Sequence, residues 1–233
     1  MLTALLLALA PGAAWAENVR IQVFHTNDIH GWVMSRPAAF FKENPARLVG
    51  GAGALANAIK KHAEPGARTL LLDGGDWFQG TPEGTLSGGK VMVEVFNALD
   101  YDAVVVGNHD YDLNEDKLKG LILDLHVPVL GFNVVRTATG ERVPYLKPYI
   151  LKDLGGVKVG IFGLLTSNMP ALNFAKNFPG LTAQEEVSSA RRAVAELKAA
   201  GAEVVVALTH VGIRRESKKD FIDDRKIAAE VPG

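Results

Sequence analysis

Four short segments of the sequence carry side chains that can bind metal ions, and each follows an apolar run. They are TNDIHG (26–31), GGDWFQG (74–80), GNHDYD (107–112) and LTH (208–210). In an extended segment Asp28 and His30 point to the same side of the chain, so a carboxylate and an imidazole can share one metal ion. Small residues around Asp76 allow a sharp turn that aims the carboxylate outward. Because open α/β sheets place their sites at the carboxyl ends of strands, we expect the four segments to converge.

The composition excludes thiolate metal ligands and argues against some classes of protein. The 233 residues include no cysteine, so any metal must be held by histidine, asparagine and carboxylate side chains. The net charge of -1 argues against a nucleic-acid polymer as the partner. With 48% hydrophobic and 22% charged residues, the composition is that of a folded protein, and the length allows one sizeable domain.

The first 16 residues carry no charged side chain and are typical of an export signal. Their apolar part, residues 2–10, is shorter than the roughly 20 residues that span a bilayer. A Pro-Gly break and the sequence Ala14-Trp15-Ala16 resemble the end of a signal peptide, although no Lys or Arg precedes the apolar run. We therefore expect a signal peptide over 1–16, a mature domain over 17–233 in the periplasm or outside the cell, and no membrane attachment after cleavage. A hydrophobic N-terminal helix in the core is the alternative.

The hydrophobic pattern predicts an alternation of strands and helices. Apolar runs at 19–24, 69–72, 103–106 and 127–132 are predicted strands, with amphipathic helices between them. Ser87 and Asn114 are predicted to cap two of these helices. Gly155-Gly156 predicts a hairpin between strands at 149–154 and 157–165, and a helix ending at Gly201 leads to a strand at 204–208. The expected architecture is a layered α/β fold with mixed β-sheets flanked by helices.

The motifs D-x-H, G-D-x-x-x-G, G-N-H-[DE] and T-H, in this order, resemble those of the calcineurin-like metallophosphoesterases. The longer strings HTNDIHG, LLDGGDWFQG and GNHDYD look like the secreted 5′-nucleotidase and UDP-sugar hydrolase branch of that family. The resemblance extends from residue 19 to the end of the chain. It implies hydrolysis of phosphate esters, with a nucleotide or another small phosphoester as the substrate.

The resemblance also implies two divalent metal ions and assigns their ligands. Asp28 and His30 would bind the first ion, Asp76 would bridge both, and Asn108 and His210 would bind the second. Two cations held by one carboxylate suit phosphate ester hydrolysis, because they activate water at neutral pH and neutralise the phosphoryl oxygens. The ligand types suit Mn, Zn, Fe, Co and Mg to differing degrees, so the metal itself stays open.

By the same resemblance His109 and Asp112 form the catalytic pair. The histidine would stabilise the phosphoryl group or protonate the leaving oxygen, and the aspartate would orient the histidine.

For the other polar and aromatic residues near the motifs, the sequence favours structural roles. We expect Asp73 to pair with backbone or to orient a metal ligand, and His25 to pack or hydrogen-bond near the site. Three aromatic residues can line the cleft or pack in the core: Trp32, Trp77 and Phe78.

The end of the chain departs from the family pattern. Members of the family continue past the segment that matches residues 223–233 into a further strand, a G-G-H-x-H motif and a substrate-binding domain. We therefore expect a truncated or partial catalytic domain with weakened metal sites. The alternatives are a cyclic-nucleotide phosphodiesterase or a thiosulfohydrolase of the same branch, and a non-catalytic periplasmic module that binds metal or nucleotide. The sequence leaves the oligomeric state open.

Overall fold

The computed structural model describes residues 18–213 and 222–232 of the chain. The predicted signal peptide over 1–16 lies outside these residues. None of the helices in the described ranges is long and apolar enough to cross a bilayer.

Strands and helices alternate through most of the described chain. The strands are β1 (Ile21–Thr26), β2 (Arg36–Pro37), β3 (Leu48–Val49), β4 (Arg68–Asp73), β5 (Ala103–Val105), β6 (Val129–Leu130), β7 (Val134–Arg136), β8 (Tyr149–Asp153), β9 (Lys158–Leu165), β10 (Leu181–Ala183) and β11 (Val204–His210). The α-helices are α1 (Ala52–His62), α2 (Pro82–Leu86), α3 (Lys90–Leu99), α4 (Glu115–Asp124), α5 (Met169–Leu172), α6 (Glu186–Ala199) and α7 (Asp224–Glu230).

Two β-sheets form the centre of the fold. The first has the strand order β1-β4-β5-β6, and all of its strands are parallel. The second has the order β11-β9-β8, in which β11 is parallel and β8 antiparallel to β9. Two small antiparallel pairs, β10 with β7 and β2 with β3, complete the pairing among the described residues. This arrangement confirms the predicted α/β class with mixed sheets.

The sheets pack face to face with helices on their outer sides. On β4, Leu70 and Leu72 enter a central core that they share with Ile161 of β9. Leu71 points to the opposite face and joins the core under α3 and α4. On β9, Phe162 likewise points outward, into the core beneath α6. Because side chains alternate along a strand, one apolar run per strand supplies two cores and produces a helix–sheet–sheet–helix order of layers.

Two of the predicted local signals are confirmed, and one is confirmed in part, because the Ser87 Oγ accepts the Val91 N–H (3.4 Å) in the first turn of α3. The Leu154 N–H donates to the Val157 carbonyl (2.9 Å) and closes a hairpin around Gly155-Gly156, and the Asn114 side chain accepts the Lys117 N–H (3.1 Å) at the start of α4. Ser87 does not begin α3. It ends the short helix α2, and Gly89, with a φ of 91°, starts α3, since a left-handed residue is needed to reverse the chain between the two helices.

Asn133 joins parts of the fold that lie far apart in sequence. Its side chain is fully buried. The amide Nδ2 donates to the carbonyls of Leu165 (2.7 Å) and Gln184 (2.8 Å), and Oδ1 accepts the Leu165 N–H (2.9 Å). One side chain therefore satisfies two backbone groups at the end of β9 and one just after β10.

We expect Asn133→Ala to lower the free energy of unfolding by roughly 2–3 kcal/mol, because it leaves buried backbone groups without partners. Urea denaturation measures the change. The matched control is Asn57→Ala on the exposed face of α1, which we expect to alter stability by less than about 0.5 kcal/mol. Equal effects of the two substitutions would contradict the role of Asn133.

Candidate metal centre and active site

The structure brings all five predicted metal ligands together at the carboxyl ends of four strands. Asp28 and His30 follow β1, Asp76 follows β4, Asn108 follows β5, and His210 ends β11. The first three strands belong to one sheet and β11 belongs to the other, so the site lies where the two sheets meet.

The buried carboxylate of Asp76 lies between two imidazoles. Its Oδ2 is 3.3 Å from His210 Nε2 and 3.8 Å from His30 Nε2. Asp28 Oδ1 lies 3.7 Å from the same His30 nitrogen, and Asn108 Oδ1 lies 3.2 Å from His210 Nε2. One ligand atom each from Asp28, Asp76 and His210 lie within 4.8 Å of one another. Two groups of oxygen and nitrogen donors thus share Asp76.

Both histidines are held so that Nε2 faces the carboxylates. Nδ1 of His210 is hydrogen-bonded to the Gly74 carbonyl (2.7 Å), and Nδ1 of His30 to the Gln79 carbonyl. A carbonyl can only accept, so each Nδ1 carries a proton, and the lone pair of the neutral ring is at Nε2. This is the usual arrangement of metal-binding histidines, whose second nitrogen is fixed by a backbone or carboxylate acceptor.

Three of these residues have an unusual backbone. The φ angles of Asp28 (52°), His30 (49°) and Asp76 (60°) are in the left-handed region, which costs a non-glycine residue about 1–3 kcal/mol. The expectation that Asp28 and His30 share one side of an extended segment is therefore wrong. They approach each other because their N–H groups bind two carbonyls of the next loop, at Gly75 (2.9 Å) and Asp76 (3.0 Å).

Asp76 and His210 form an ion pair. Burial opposes ionisation of Asp76, but the hydrogen bond and charge of His210 outweigh it and hold the pKa of Asp76 below its ordinary value. Burial also disfavours a charged His210, yet the hydrogen bond and charge of Asp76 raise the pKa of His210 to about 9. Binding of a cation through His210 Nε2 therefore has to displace a proton.

The predicted catalytic pair is also in contact. His109 Nδ1 lies 2.8 Å from Asp112 Oδ2, which leaves Nε2 of His109 free of this contact. The ring centroids of His109 and His30 are 5.5 Å apart, so the imidazole lies beside the group of donors. The His109 N–H donates to Asp76 Oδ1 (2.9 Å) and ties the two parts of the site together.

Residues 21–230 match the calcineurin-like phosphoesterase family, which is most of the chain. The chain belongs to this family. The solved structures that it resembles include a 5′-nucleotidase precursor and a calcineurin-like phosphoesterase.

Relatives of this phosphoesterase chain carry nucleotide-related names. It is 34% identical to the trifunctional nucleotide phosphoesterase YfkN of Bacillus subtilis, over 87% of this chain and 15% of that protein. It is 31% identical to UshA of Yersinia enterocolitica, over 97% of this chain and 40% of that protein. A 5′-nucleotidase precursor from Thermus thermophilus has a similar structure, with a TM-score of 0.69 and 29% identity over 82% of this chain and 37% of that chain. The chain thus spans less than half the length of these relatives.

Calcineurin-like phosphoesterases use divalent metal ions, and the donors of this member fit such ions. Carboxylate, amide and imidazole groups suit first-row divalent metals. The two imidazoles present Nε2 toward a shared carboxylate, as coordination requires.

Two buried carboxylates, Asp73 and Asp110, hold the loops of the phosphoesterase site by accepting backbone N–H groups. Asp110 accepts the N–H groups of Asp76 (3.0 Å), Trp77 (2.8 Å) and Gly107 (2.7 Å), and so joins the loops after β4 and β5. Asp73 accepts the Gly75 N–H (2.9 Å), as expected from the sequence. The role of Asp110 was missed, although the residue stands within the GNHDYD string, because a sequence does not show which backbone groups a carboxylate will reach.

The aromatic residues near the site have different positions. Trp77 and Phe78 are buried in the core, and the Trp77 indole N–H donates to the Val105 carbonyl (2.9 Å). Trp32 is half exposed and lines a cavity of about 400 Å³ that Asp28 also borders. His25 lines a second open cleft of about 660 Å³, together with Asn108 and His210 and with several apolar side chains of β1 and β11.

Gly107 is a position where the site leaves no room for a side chain. A Cβ on Gly107 would collide with the carboxylate and the N–H of Asp76. We expect Gly107→Ala to weaken the binding of Mn²⁺ about tenfold, because overpacking costs about 1–3 kcal/mol and moves Asp76. Titration with Mn²⁺ measures the affinity. Gly53→Ala on α1, where a Cβ meets nothing, is the control, and equal affinities of the two variants would refute the expectation.

Asp73 predicts a pH-dependent stability. Burial raises the pKa of Asp73 to about 7, against the hydrogen bonds from Thr26 and Gly75, which lower it. The folded protein therefore keeps a proton that the unfolded chain loses near pH 4, and stability from this group falls as the pH rises from about 4 to about 7. We expect the stability of Asp73→Asn relative to wild type to rise by on the order of 3 kcal/mol across that window and to level off above it.

Urea unfolding at pH 4.5, 6 and 8 measures this difference. The control is Asp116→Asn, whose side chain is 91% exposed and should show no such trend. Parallel stability curves for wild type and Asp73→Asn would show that Asp73 does not titrate in this way.

Proposed function

We propose that the chain is the catalytic domain of a secreted 5′-nucleotidase-type enzyme that uses two divalent ions to hydrolyse nucleoside monophosphates or nucleotide sugars. The position of Asp76 carries this proposal. Its carboxylate is shared by two donor groups, one formed with Asp28 and His30 and the other with Asn108 and His210. The names of the relatives from Bacillus and Yersinia support a nucleotide as the substrate.

In the proposed mechanism Asp28, His30 and Asp76 hold one ion, and Asp76, Asn108 and His210 hold the other. When bound, the two ions would make a water acidic enough to attack at neutral pH and would supply positive charge for the phosphoryl oxygens. The backbone contacts of these loops keep the donors in place before the ions arrive, so little reorganisation accompanies binding.

His109 holds a proton for the leaving group in this mechanism. The Asp112 carboxylate accepts from Nδ1 and fixes the plane of the ring. Nε2 then points away from Asp112 and can give its proton to the oxygen that departs from phosphorus, which completes the hydrolysis. The main-chain N–H of His109 is hydrogen-bonded to Asp76, so the position of the His109 imidazole is tied to that of the proposed bridging ligand.

We also propose a location and a domain division for this protein. Residues 1–16 would act as a signal peptide and 17–233 would form the catalytic domain in the periplasm or outside the cell. The relatives include a protein named snake venom 5′-nucleotidase, which is consistent with export.

Hydrolysis of AMP, UDP-glucose and a cyclic nucleotide, with added Mn²⁺ or Zn²⁺ and chromatographic separation of the nucleoside and nucleotide products, tests the proposal. We expect Asp76→Ala to abolish turnover because both metal groups lose a ligand. We expect His109→Ala to lower kcat by about 10²- to 10⁴-fold, the usual contribution of a general acid. Asp116→Asn, an exposed carboxylate on α4, should keep wild-type activity.

Undiminished activity of Asp76→Ala or His109→Ala would rule out the mechanism. Metal analysis separates the main alternative, a binding module without catalysis. A chain that retains two ions and hydrolyses none of these substrates would favour the binding module. A chain that acts on the cyclic nucleotide, or on a thiosulfate ester, and not on AMP would change the substrate class while leaving the metal site in place.

A further inference from the structure

We propose that Asn173 is a positioning residue that fixes the peptide group between Asn108 and His109, and through it the second metal site and the proton donor. The inference rests on the proposed function only for the roles of those two residues. Asn173 directly follows α5, and 65 residues separate it from Asn108. Its Nδ2 donates to the main-chain carbonyl of Asn108 at 2.6 Å.

The peptide group that Asn173 contacts is held at both of its polar atoms. The carbonyl oxygen of Asn108 accepts from Asn173, and the N–H of the same peptide, which belongs to His109, donates to Asp76 Oδ1 at 2.9 Å. Rotation of this peptide would move the Asn108 side chain, whose Oδ1 faces His210 at 3.2 Å. It would also move the imidazole of His109. A single peptide plane therefore sets the direction of two proposed site residues.

The side chain of Asn173 is itself locked in one orientation. Its Oδ1 accepts the Phe174 N–H (2.6 Å) and the Nδ2 group of Asn177 (2.9 Å). Since both partners of Oδ1 are donors and the partner of Nδ2 is a carbonyl, a flipped amide would lose all three hydrogen bonds. The orientation seen is the one that the network requires.

The main chain of Asn173 and the partner of its side chain are both anchored in buried parts of the fold. Its N–H donates to the carbonyl of Met169 (3.0 Å), a residue buried in the core. Asn177 is buried as well, so the amide that holds Oδ1 has little freedom. A hydrogen bond to a carbonyl further polarises the peptide and strengthens its N–H as a donor, here toward Asp76. The contact therefore orients the peptide and tightens its bond to the proposed bridging carboxylate.

The substitution Asn173→Asp isolates this contact. Aspartate keeps the shape of the side chain and can still accept from Phe174 and Asn177, but it cannot donate to the Asn108 carbonyl. The matched control is Asn97→Asp. The Asn97 amide likewise donates to a main-chain carbonyl, that of Asp124 (3.0 Å), and accepts the His126 N–H (2.8 Å), in a contact between α3 and the end of α4.

Three measurements on the 233-residue chain test the inference. Titration with Mn²⁺ alone should show the second ion bound about tenfold more weakly in Asn173→Asp, in line with the loss of one hydrogen bond. Hydrogen exchange of the metal-free protein should be faster over residues 106–112. With the best substrate, kcat should fall about tenfold, while KM changes by less than about twofold. Asn97→Asp should match the loss of thermal stability and leave all three readouts unchanged.

The direction of the metal effect separates positioning from added charge. A new negative charge near a cation site would by itself tighten Mn²⁺, whereas a displaced Asn108 weakens it. If Asn173→Asp does not fold, Asn173→Ser and Asn173→Ala carry the same test. Wild-type Mn²⁺ affinity together with wild-type exchange over 106–112 would overturn the inference.

Failure of the proposed function is distinguishable from failure of the inference. A wild-type chain that binds Mn²⁺ but hydrolyses none of the substrates would remove the proposed function, and the Mn²⁺ and exchange comparisons would still decide the role of Asn173. A wild-type chain that binds neither Mn²⁺ nor Zn²⁺ would contradict the proposed function, and the exchange comparison of the metal-free protein would still decide whether Asn173 holds the peptide.

Discussion

The fold of the site depends on the backbone hydrogen bonds of one four-residue loop, 74–77. All eight of its main-chain N–H and carbonyl groups are bonded, and every partner lies in or beside the site. The carbonyls receive the Asp28 and His30 N–H groups and the His210 ring, while the N–H groups bind the carboxylates of Asp73 and Asp110. Four segments of the chain are thus positioned by a single turn, and the left-handed backbone of its neighbours is held in place by the same bonds.

This crowding explains why glycine is needed at particular positions. Gly75 has a φ of 96°, and a Cβ there would collide with the backbone of Gly107 and the ring of His210. The loops after β4 and β5 therefore touch through their main chains, and Asp110 bonds both of them from beneath. Close backbone approach lets one buried carboxylate align two loops, and it leaves the side chain of Asp76 facing the imidazoles of His30 and His210.

Much of this arrangement could be predicted from the sequence, because the strands are continuous apolar runs and each motif follows a strand directly. The convergence of Asp28, Asp76 and Asn108 follows from that rule, because they come after parallel neighbouring strands of one sheet. His210 joins them only through the packing of the second sheet. The backbone conformation of the metal-site loops and the contacts between distant segments are determined by tertiary structure. The D-x-H spacing suggests an extended Asp28, whereas the residue is left-handed and its N–H is bound to the Gly75 carbonyl of another loop. No pattern marks Asn173, since its partner lies 65 residues away and is a backbone carbonyl, which every residue carries.

The division of the site between the two sheets has a thermodynamic consequence. Asp76 and Asn108 follow strands of one sheet, whereas His210 and Asn173 come from β11 and from the segment after β9 in the other. Any cation that binds both sets is linked to the contact between the sheets, so its binding free energy adds to their cohesion by mass action. Conversely, slippage between the layers would change the spacing of the donors. The interface between the sheets and the metal affinity are therefore one coupled equilibrium rather than two separate properties.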